Sequence, residues 1–371
     1  MIQLGEYALW IALPISVVGA VLAFWGGAKR RGDLVLAGEL SVYSVFLLLI
    51  LTSVGIVVAF LTDRFDYWYV DNYSNRDLDT YFKVAGLWAG QRGSLVFWVL
   101  LLSLFSVTCT FSNRLKNREF MPNVVGVLLT ITAFFLFVLL FADVNPFERM
   151  PFAPADGRGL NPQLQNYWMT IHPPTLYLGF TAFTVPFAFA VSALMNGCLD
   201  SRWLVITRRW ILLSWFFLAN GIIFGMRWAY EELGWGGFWF WDPVENVSLM
   251  PWLCLTALIH TVIVLEKRNL LKSWTLILSI ATFTFSMIGT FLVRSGILNS
   301  VHTFANDPER GMFILLFLFS LIILSIILFF IYQGKENTSQ KKFFLISKET
   351  SILINNWFMM YFLSVVLIRT T

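Results

Sequence analysis

Charge is the scarcest property of this sequence. Asp, Glu, Lys and Arg make up only 13% of its 371 residues, while apolar residues make up 58%. An average soluble domain carries about 25% charged residues. One swollen soluble core is excluded, because such cores stop growing near ~250–300 residues. Cysteine is scarce as well. Cys109, Cys198 and Cys254 are widely spaced and form no C-x-x-C pair, so they read as buried or inert thiols. No C-x-x-C-H segment is present, so this chain carries no covalently attached c-type haem. Histidine occurs only three times. The start, "MIQLGEY", lacks the basic segment that opens a cleavable signal peptide. The first apolar run therefore reads as a retained helix.

Long apolar runs are what the sequence has in abundance. Segments such as "VVGVLLTITAFFLFVLLFA" are uncharged over the ~20 residues that span a bilayer as a helix. Ten spans are expected, near 6–27, 38–62, 94–112, 122–142, 171–195, 210–228, 247–265, 273–293, 311–332 and 352–368. The expected fold is an all-α polytopic membrane protein forming a single transmembrane helical domain over residues 1–371. Sixteen of the 26 Lys and Arg fall in the alternate loops 28–37, 113–121, 196–209, 266–272 and 333–351. By the positive-inside rule these loops are cytoplasmic and the N-terminus is outside. The opposite loops, about 63–93, 143–170, 229–246 and 294–310, hold most of the acids and His302, and His172 lies just past the second of them, so the outer face is expected to be the working one.

His172, in "YWMTIHPPTLYLGF", is followed by two prolines, which suits the first turn of the fifth span. His302, in "SGILNSVHTFANDPERG", precedes the ninth. At helix N-termini both should lean neutral, the form of imidazole that binds a metal; interfacial histidines without a ligand are the alternative. His260 lies within the seventh span, 13 residues beyond Val247 and so about 20 Å along the helix. Ionisable residues at that depth are rare. An interhelical hydrogen bond, a proton relay and a haem ligand all remain open for it.

The stretch "GWGGFWFWDPVEN" (234–246) combines two signals. Asp242-Pro243-Val244-Glu245 reads as a helix start, with Asp242 at the N-cap, Pro243 at N1 and Glu245 closing a capping box. Asn145-Pro146-Phe147-Glu148 has the same grammar and Asp307-Pro308 a shorter form, so further capped helices are expected there. Trp10, Trp98, Trp168 and Trp228 read as an interfacial belt. Trp235, Trp239 and Trp241 cluster more tightly than a belt needs, and Gly234, Gly236 and Gly237 strip the backbone between them. A large rigid aromatic surface results, beside helix N-termini that attract carboxylates. Haem, flat and carrying iron and two propionates, fits such a surface, and two neutral histidines could supply axial ligands.

With "WAGQRGSLVFW" (88–98), "DGRGLNPQLQNYWMTIHPPTLYLGF" (156–180), "WAYEELGWGGFWFWDPVENVSLMPWL" (228–253), "GTFLVRSGILNSVHTFANDPERG" (289–311) and "ILINNWFMMYFLSVV" (352–366) in order, the chain resembles the CcmF family of cytochrome c maturation proteins. That family belongs to a haem-handling superfamily named for its tryptophan-rich WWD motif. The resemblance covers essentially the whole chain.

It implies a haem lyase subunit that takes haem from a CcmE-type chaperone and helps join its vinyl groups to the Cys-x-x-Cys-His thiols of apocytochrome c. CcmH- and CcmI-type subunits and the lipid bilayer are implied partners, and nucleic acid is not. The implied location is the bacterial inner membrane with a periplasmic working face, or the inner mitochondrial membrane if the protein is organellar. His172 and His302 match the outer haem ligands. Trp235, Gly236, Gly237, Trp239, Trp241 and Asp242 match the platform. His260 matches one ligand of a membrane b-type haem.

Family members run on past this length with the second membrane histidine, so a fragment or a split form is expected. Arg92 stands in "GQRGS" where the family pattern leads one to expect an acid. Arg294 is a candidate partner for a haem propionate, an ordinary snorkelling arginine being the alternative. No general acid or base is evident. A haem carrier without ligation activity and a non-haem polytopic transporter are the competing functions.

Overall fold

The computed structural model describes residues 1–198, 201–234, 236–268, 270–295, 308–333 and 346–370. Among these residues the chain is almost wholly helical, with an isolated antiparallel bridge between Tyr67 and Arg149. The helices are α1 Ile2–Lys29, α2 Gly32–Leu61, α3 Trp68–Tyr73, α4 Thr80–Ala89, α5 Gln91–Asn113, α6 Met121–Phe141, α7 Tyr167–Ala182, α8 Thr184–Asn196, α9 Arg202–Glu232, α10 Pro243–Arg268, α11 Lys272–Ser295, α12 Pro308–Gln333 and α13 Lys348–Thr370.

Among the described residues nine helical segments are long and apolar enough to cross a membrane, α7 and α8 together forming one of them. The shorter apolar stretch Leu315–Ile331 in α12 lies where the ninth span is expected. This is a multi-pass membrane protein, as its hydropathy predicts.

The described chain groups into two compact units. One is Met1–Thr181 with Asn220–Trp239, and the other is Ala182–Ala219 with Phe240–Thr371.

The first unit is built on a close helical hairpin. Arg30 takes a left-handed conformation (φ 54°) and ends α1 by donating its backbone N–H to Gly26 and Gly27. The chain then returns as α2. Small residues let the two helices touch: a Cβ on Gly5 would lie 2.9 Å from the Leu51 carbonyl oxygen, and one on Gly19 would lie 2.4 Å from Ser41 Cβ. Thr52 donates its hydroxyl across the seam to the Gly5 carbonyl at 3.1 Å. Small residues and interhelical hydrogen bonds are what hold helices together where lipid removes the hydrophobic driving force.

Segments 63–93 and 143–170 fold onto one end of this unit. Leu78, Ala89, Leu160 and Leu164 share one core cluster with Trp228 and Ala229 of α9. Tyr69 is fully buried; burial pushes its phenol well above the ordinary range. The neutral hydroxyl donates to the Gly86 carbonyl at 2.7 Å and accepts from the Gly90 N–H at 3.1 Å.

Two expectations are corrected here. Asn145–Glu148 forms a turn rather than a helix, with Asn145 Oδ1 accepting from Phe147 N at 2.9 Å. Glu148 is drawn away from capping because its carboxylate pairs with Arg92. Trp98 and Trp228 are not belt residues. Trp98 is buried and stacks on Phe180 at 5.7 Å, and Trp228 is buried with its indole N–H on the Gln163 carbonyl at 3.0 Å. Trp10, 43% exposed, keeps the belt reading. Asp307 lies outside the described residues, and Pro308 opens α12.

Arg92, unexpected at its position, is 6% exposed. It also donates to the Asn145 carbonyl at 3.0 Å, and its guanidinium lies 4.0 Å from the centre of the Trp68 ring. Breaking a fully buried pair costs about 3–5 kcal/mol. The Glu148 side chain is 44% exposed, so Arg92→Ala is expected to cost roughly 1–3 kcal/mol, read as a lower thermal transition in detergent. Arg92→Lys keeps the charge but loses the flat stack and should fall partway. Full stability in the lysine variant would show that the stack on Trp68 contributes nothing.

Candidate functional site

In the first unit the site centres on His172. The sequence suggests this residue opens a helix, but α7 begins five residues earlier at Tyr167. Asn166 sets that start, its Oδ1 accepting from Trp168 N at 2.7 Å. Pro173 and Pro174 therefore lie inside the helix. His172 is one turn in, and the dipole of the first turn is not what fixes its state.

A backbone carbonyl fixes it instead. His172 Nδ1 lies 2.7 Å from the Gly221 carbonyl oxygen on α9. A carbonyl can only accept, so Nδ1 carries the proton, and in the neutral ring the lone pair is on Nε2. A histidine whose Nδ1–H is held by a carbonyl is the usual form of a metal-ligating imidazole.

The groove that receives it is glycine-made. A Cβ at Gly225 would lie 2.6 Å from His172 Cε1, and one at Gly221 would lie 2.8 Å from Leu176 Cα. Gly221 and Gly225 form a G-x-x-x-G pair, which brings two helices into close approach. That motif is legible in the sequence as "NGIIFG".

Around the groove Arg227 pairs with Glu231 at 2.8 Å, and its guanidinium lies 6.0 Å from the Trp168 ring centre and 5.8 Å from that of Tyr230. Trp168 donates its indole N–H to Glu231 at 3.1 Å. Beyond α9, Gly234 and Gly236 have φ of 69° and 71°, which side-chain-bearing residues rarely adopt, and a Cβ at either would meet nothing within 4 Å. Phe238 stacks on Tyr230 at 4.5 Å.

In the second unit the capping box forms as its spacing predicts. Val244 N donates to Asp242 Oδ2 at 2.9 Å, and Asp242 N donates to Glu245 Oε2 at 3.1 Å. Glu245 Oε2 also accepts from Phe240 N at 2.9 Å, and Asn246 donates its amide to the Trp241 carbonyl at 3.1 Å. These bonds hold Trp241 at φ 60°, a conformation that costs a non-glycine residue about 1–2 kcal/mol. Its ring is 44% exposed, with the Arg369 guanidinium 5.6 Å from its centre.

His260 is half-buried on α10, with Nδ1 2.8 Å from the amide nitrogen of Asn355 on α13. Thr256, one turn earlier, accepts from Trp215 Nε1 at 3.0 Å. Trp235, His302 and the side chain of Arg294 lie outside the described residues.

Gly225→Ala is expected to push the His172 ring off the Gly221 carbonyl. The rate at which diethylpyrocarbonate modifies His172, followed by mass spectrometry, should rise severalfold. An unchanged rate would show that Gly225 does not hold the ring.

These positions fall in a stretch that known proteins share. Residues 88–298 match the model of a family described as cytochrome C assembly protein. The chain is 42% identical to the cytochrome c-type biogenesis protein CcmF of Haemophilus influenzae, over 99% of this chain and 57% of that protein. It is 42% identical to CcmF of Escherichia coli K12, over 100% of this chain and 57% of that protein. Against the cytochrome c-type biogenesis protein CycK of Rhizobium meliloti the identity is 44%, over 96% and 52%. The solved structure of "Cytochrome c Heme Lyase CcmF" superposes with a TM-score of 0.82 at 28% identity, covering all of this chain and 56% of that one. The chain thus spans about half the length of the curated relatives it matches. The family match covers more than half of the chain and includes His172, the tryptophan stretch and His260: the chain belongs to the cytochrome C assembly protein family, with CcmF-type proteins as its relatives.

Proposed function

We propose that this protein is the haem-binding membrane subunit of a cytochrome c haem lyase, with His172 holding the iron of the haem to be attached. The observation that carries this is the 2.7 Å bond from His172 Nδ1–H to the Gly221 carbonyl. It presents Nε2 as a neutral lone-pair donor, the nitrogen an axial ligand uses. Trp239, Trp241 and the glycines Gly236 and Gly237 form the aromatic platform with Trp235, and His302 supplies the opposite ligand. Arg294 is retained as a propionate partner. Asp242 shapes the platform through the capping box with Glu245.

The chemistry asked of these residues is positioning. Each thiol of an apocytochrome Cys-x-x-Cys-His segment adds across a haem vinyl group. A carbon–sulfur bond forms, the proton passes to the neighbouring vinyl carbon, and no oxidant is consumed. Holding the reacting atoms in line is what an enzyme can supply to such a step.

Haem arrives from a CcmE-type chaperone, and CcmH- and CcmI-type subunits present the reduced thiols. The working face is periplasmic, on the bacterial inner membrane. His260 would hold a membrane b-type haem, which would supply the electron that keeps the substrate iron ferrous.

The test is haem titration of the purified chain, read by absorption. His172→Ala should weaken the outer-site Soret signal by more than the about 10–100-fold that loss of a ligand's supporting partner costs. In cells carrying the maturation pathway it should also abolish covalent haem attachment. Unchanged affinity and undiminished attachment would reject the assignment.

A further inference from the structure

We propose a bound-water site between α2 and α5, held by Glu39, Tyr43 and Thr110. It uses none of the haem-site residues and stands independently of the haem reading. Glu39 is 6% exposed, on a helix long and apolar enough to cross a membrane. Its one polar contact among the described residues is an ion pair with Arg114, from Oε2 to Nε at 3.5 Å. Charge-assisted hydrogen bonds close to about 2.7–2.9 Å. A carboxylate held this loosely, and shielded from water, keeps much of its desolvation cost.

The same contact fixes how the two helices face each other. Glu39, near the start of α2, meets Arg114, just past the end of α5. At the other end, Phe60 near the end of α2 packs on Gly86, just before α5 begins: a Cβ at Gly86 would lie 2.6 Å from Phe60 Cε1. The helices therefore run antiparallel. One turn inward from the ion pair stand Tyr43 on α2 and Thr110 on α5, each on the same helix face as its charged neighbour.

Both hydroxyls at that level are orphans. Thr110 is 0% exposed, and neither Thr110 Oγ1 nor Tyr43 Oη reaches a hydrogen-bond partner among the described residues. Thr110 has also turned from the acceptor that helical threonines commonly use, the carbonyl four residues back. Thr108, Thr130 and Thr132 each donate to that carbonyl at 2.8 Å.

Polar atoms left unmet away from water are costly. A carboxylate and two hydroxyls on facing turns match the lining of an internal water, which makes about three hydrogen bonds to buried polar groups. Water donates to the carboxylate and can donate to or accept from either hydroxyl. A cation would be repelled by Arg114 and an anion by Glu39. The lining thus selects a small neutral ligand that both donates and accepts. Bound there, it ties α2 to α5 by polar contacts of the kind that hold helices together in lipid.

The test is thermal unfolding of the full chain in detergent, with variants that remove one hydroxyl and keep its shape. Tyr43→Phe and Thr110→Val should each lower the transition by a few degrees, because the remaining partners lose a shared ligand. The double variant should fall by less than the sum, since one ligand is lost in every case. A raised transition in either single variant would mean dry hydroxyls, and additive losses would mean hydroxyls that share nothing. Either result overturns the proposal. A direct bond between the hydroxyls would give the same losses, so a cryo-EM map of the parent chain that shows ordered water is the second measurement. It also decides the matter if a variant fails to fold. Solvent density within hydrogen-bond distance of both Tyr43 Oη and Thr110 Oγ1 is expected. The hydroxyls bonded to each other, or no density between them, would overturn the proposal.

Discussion

The candidate site depends first on two missing side chains. Gly221 and Gly225 bring α9 so near α7 that the His172 ring lies where a Cβ on Gly225 would stand. That approach lets an imidazole reach a carbonyl within a helix, where an oxygen already accepting from its own turn still has a second lone pair. The carbonyl then fixes the tautomer. Small residues, close helices, a reachable acceptor and a defined lone pair form one causal line. Each step needs the one before it.

The tryptophan stretch shows a second constraint, this time in the backbone. Gly234 and Gly236 reach positive φ at no steric cost, but Trp241 does so as a bulky residue. The strain is held by three side chains of the following helix turn. Glu245 takes two backbone N–H groups, Asp242 takes another, and Asn246 fixes the Trp241 carbonyl. Strain of this kind persists where surrounding bonds over-determine it, and it concentrates at functional positions. Asp242 and Glu245 therefore do more than start a helix. They present Trp241 in a conformation it would not adopt alone.

Local grammar made the spans and the 242–245 capping box legible in the sequence. Each depends on residues a few positions apart, and hydropathy and spacing report those directly. The failures share a cause of the opposite kind. Asn145–Glu148 has the spelling of a helix start, but Arg92, distant in sequence, takes the Glu148 carboxylate that would close the capping box. His172 looks like a first-turn residue because two prolines follow it, yet Asn166 opens the helix a turn earlier. Trp98 and Trp228 have belt-like positions but find partners within the fold. Propensity is a weak prior that tertiary contacts override. The G-x-x-x-G pair is equally local and is legible in "NGIIFG". The Asn355 contact could not have been read, since nothing local ties α13 to His260.

Two histidines in one chain thus meet partners of different chemical character. A backbone carbonyl cannot change its role without unfolding a helix, so it commits His172 to one tautomer at all times. An amide side chain has two roles separated by a single bond rotation, so it leaves His260 with a choice. The difference between the two settings is drawn by the hydrogen-bonding capacity of Gly221 and Asn355 rather than by the histidines themselves.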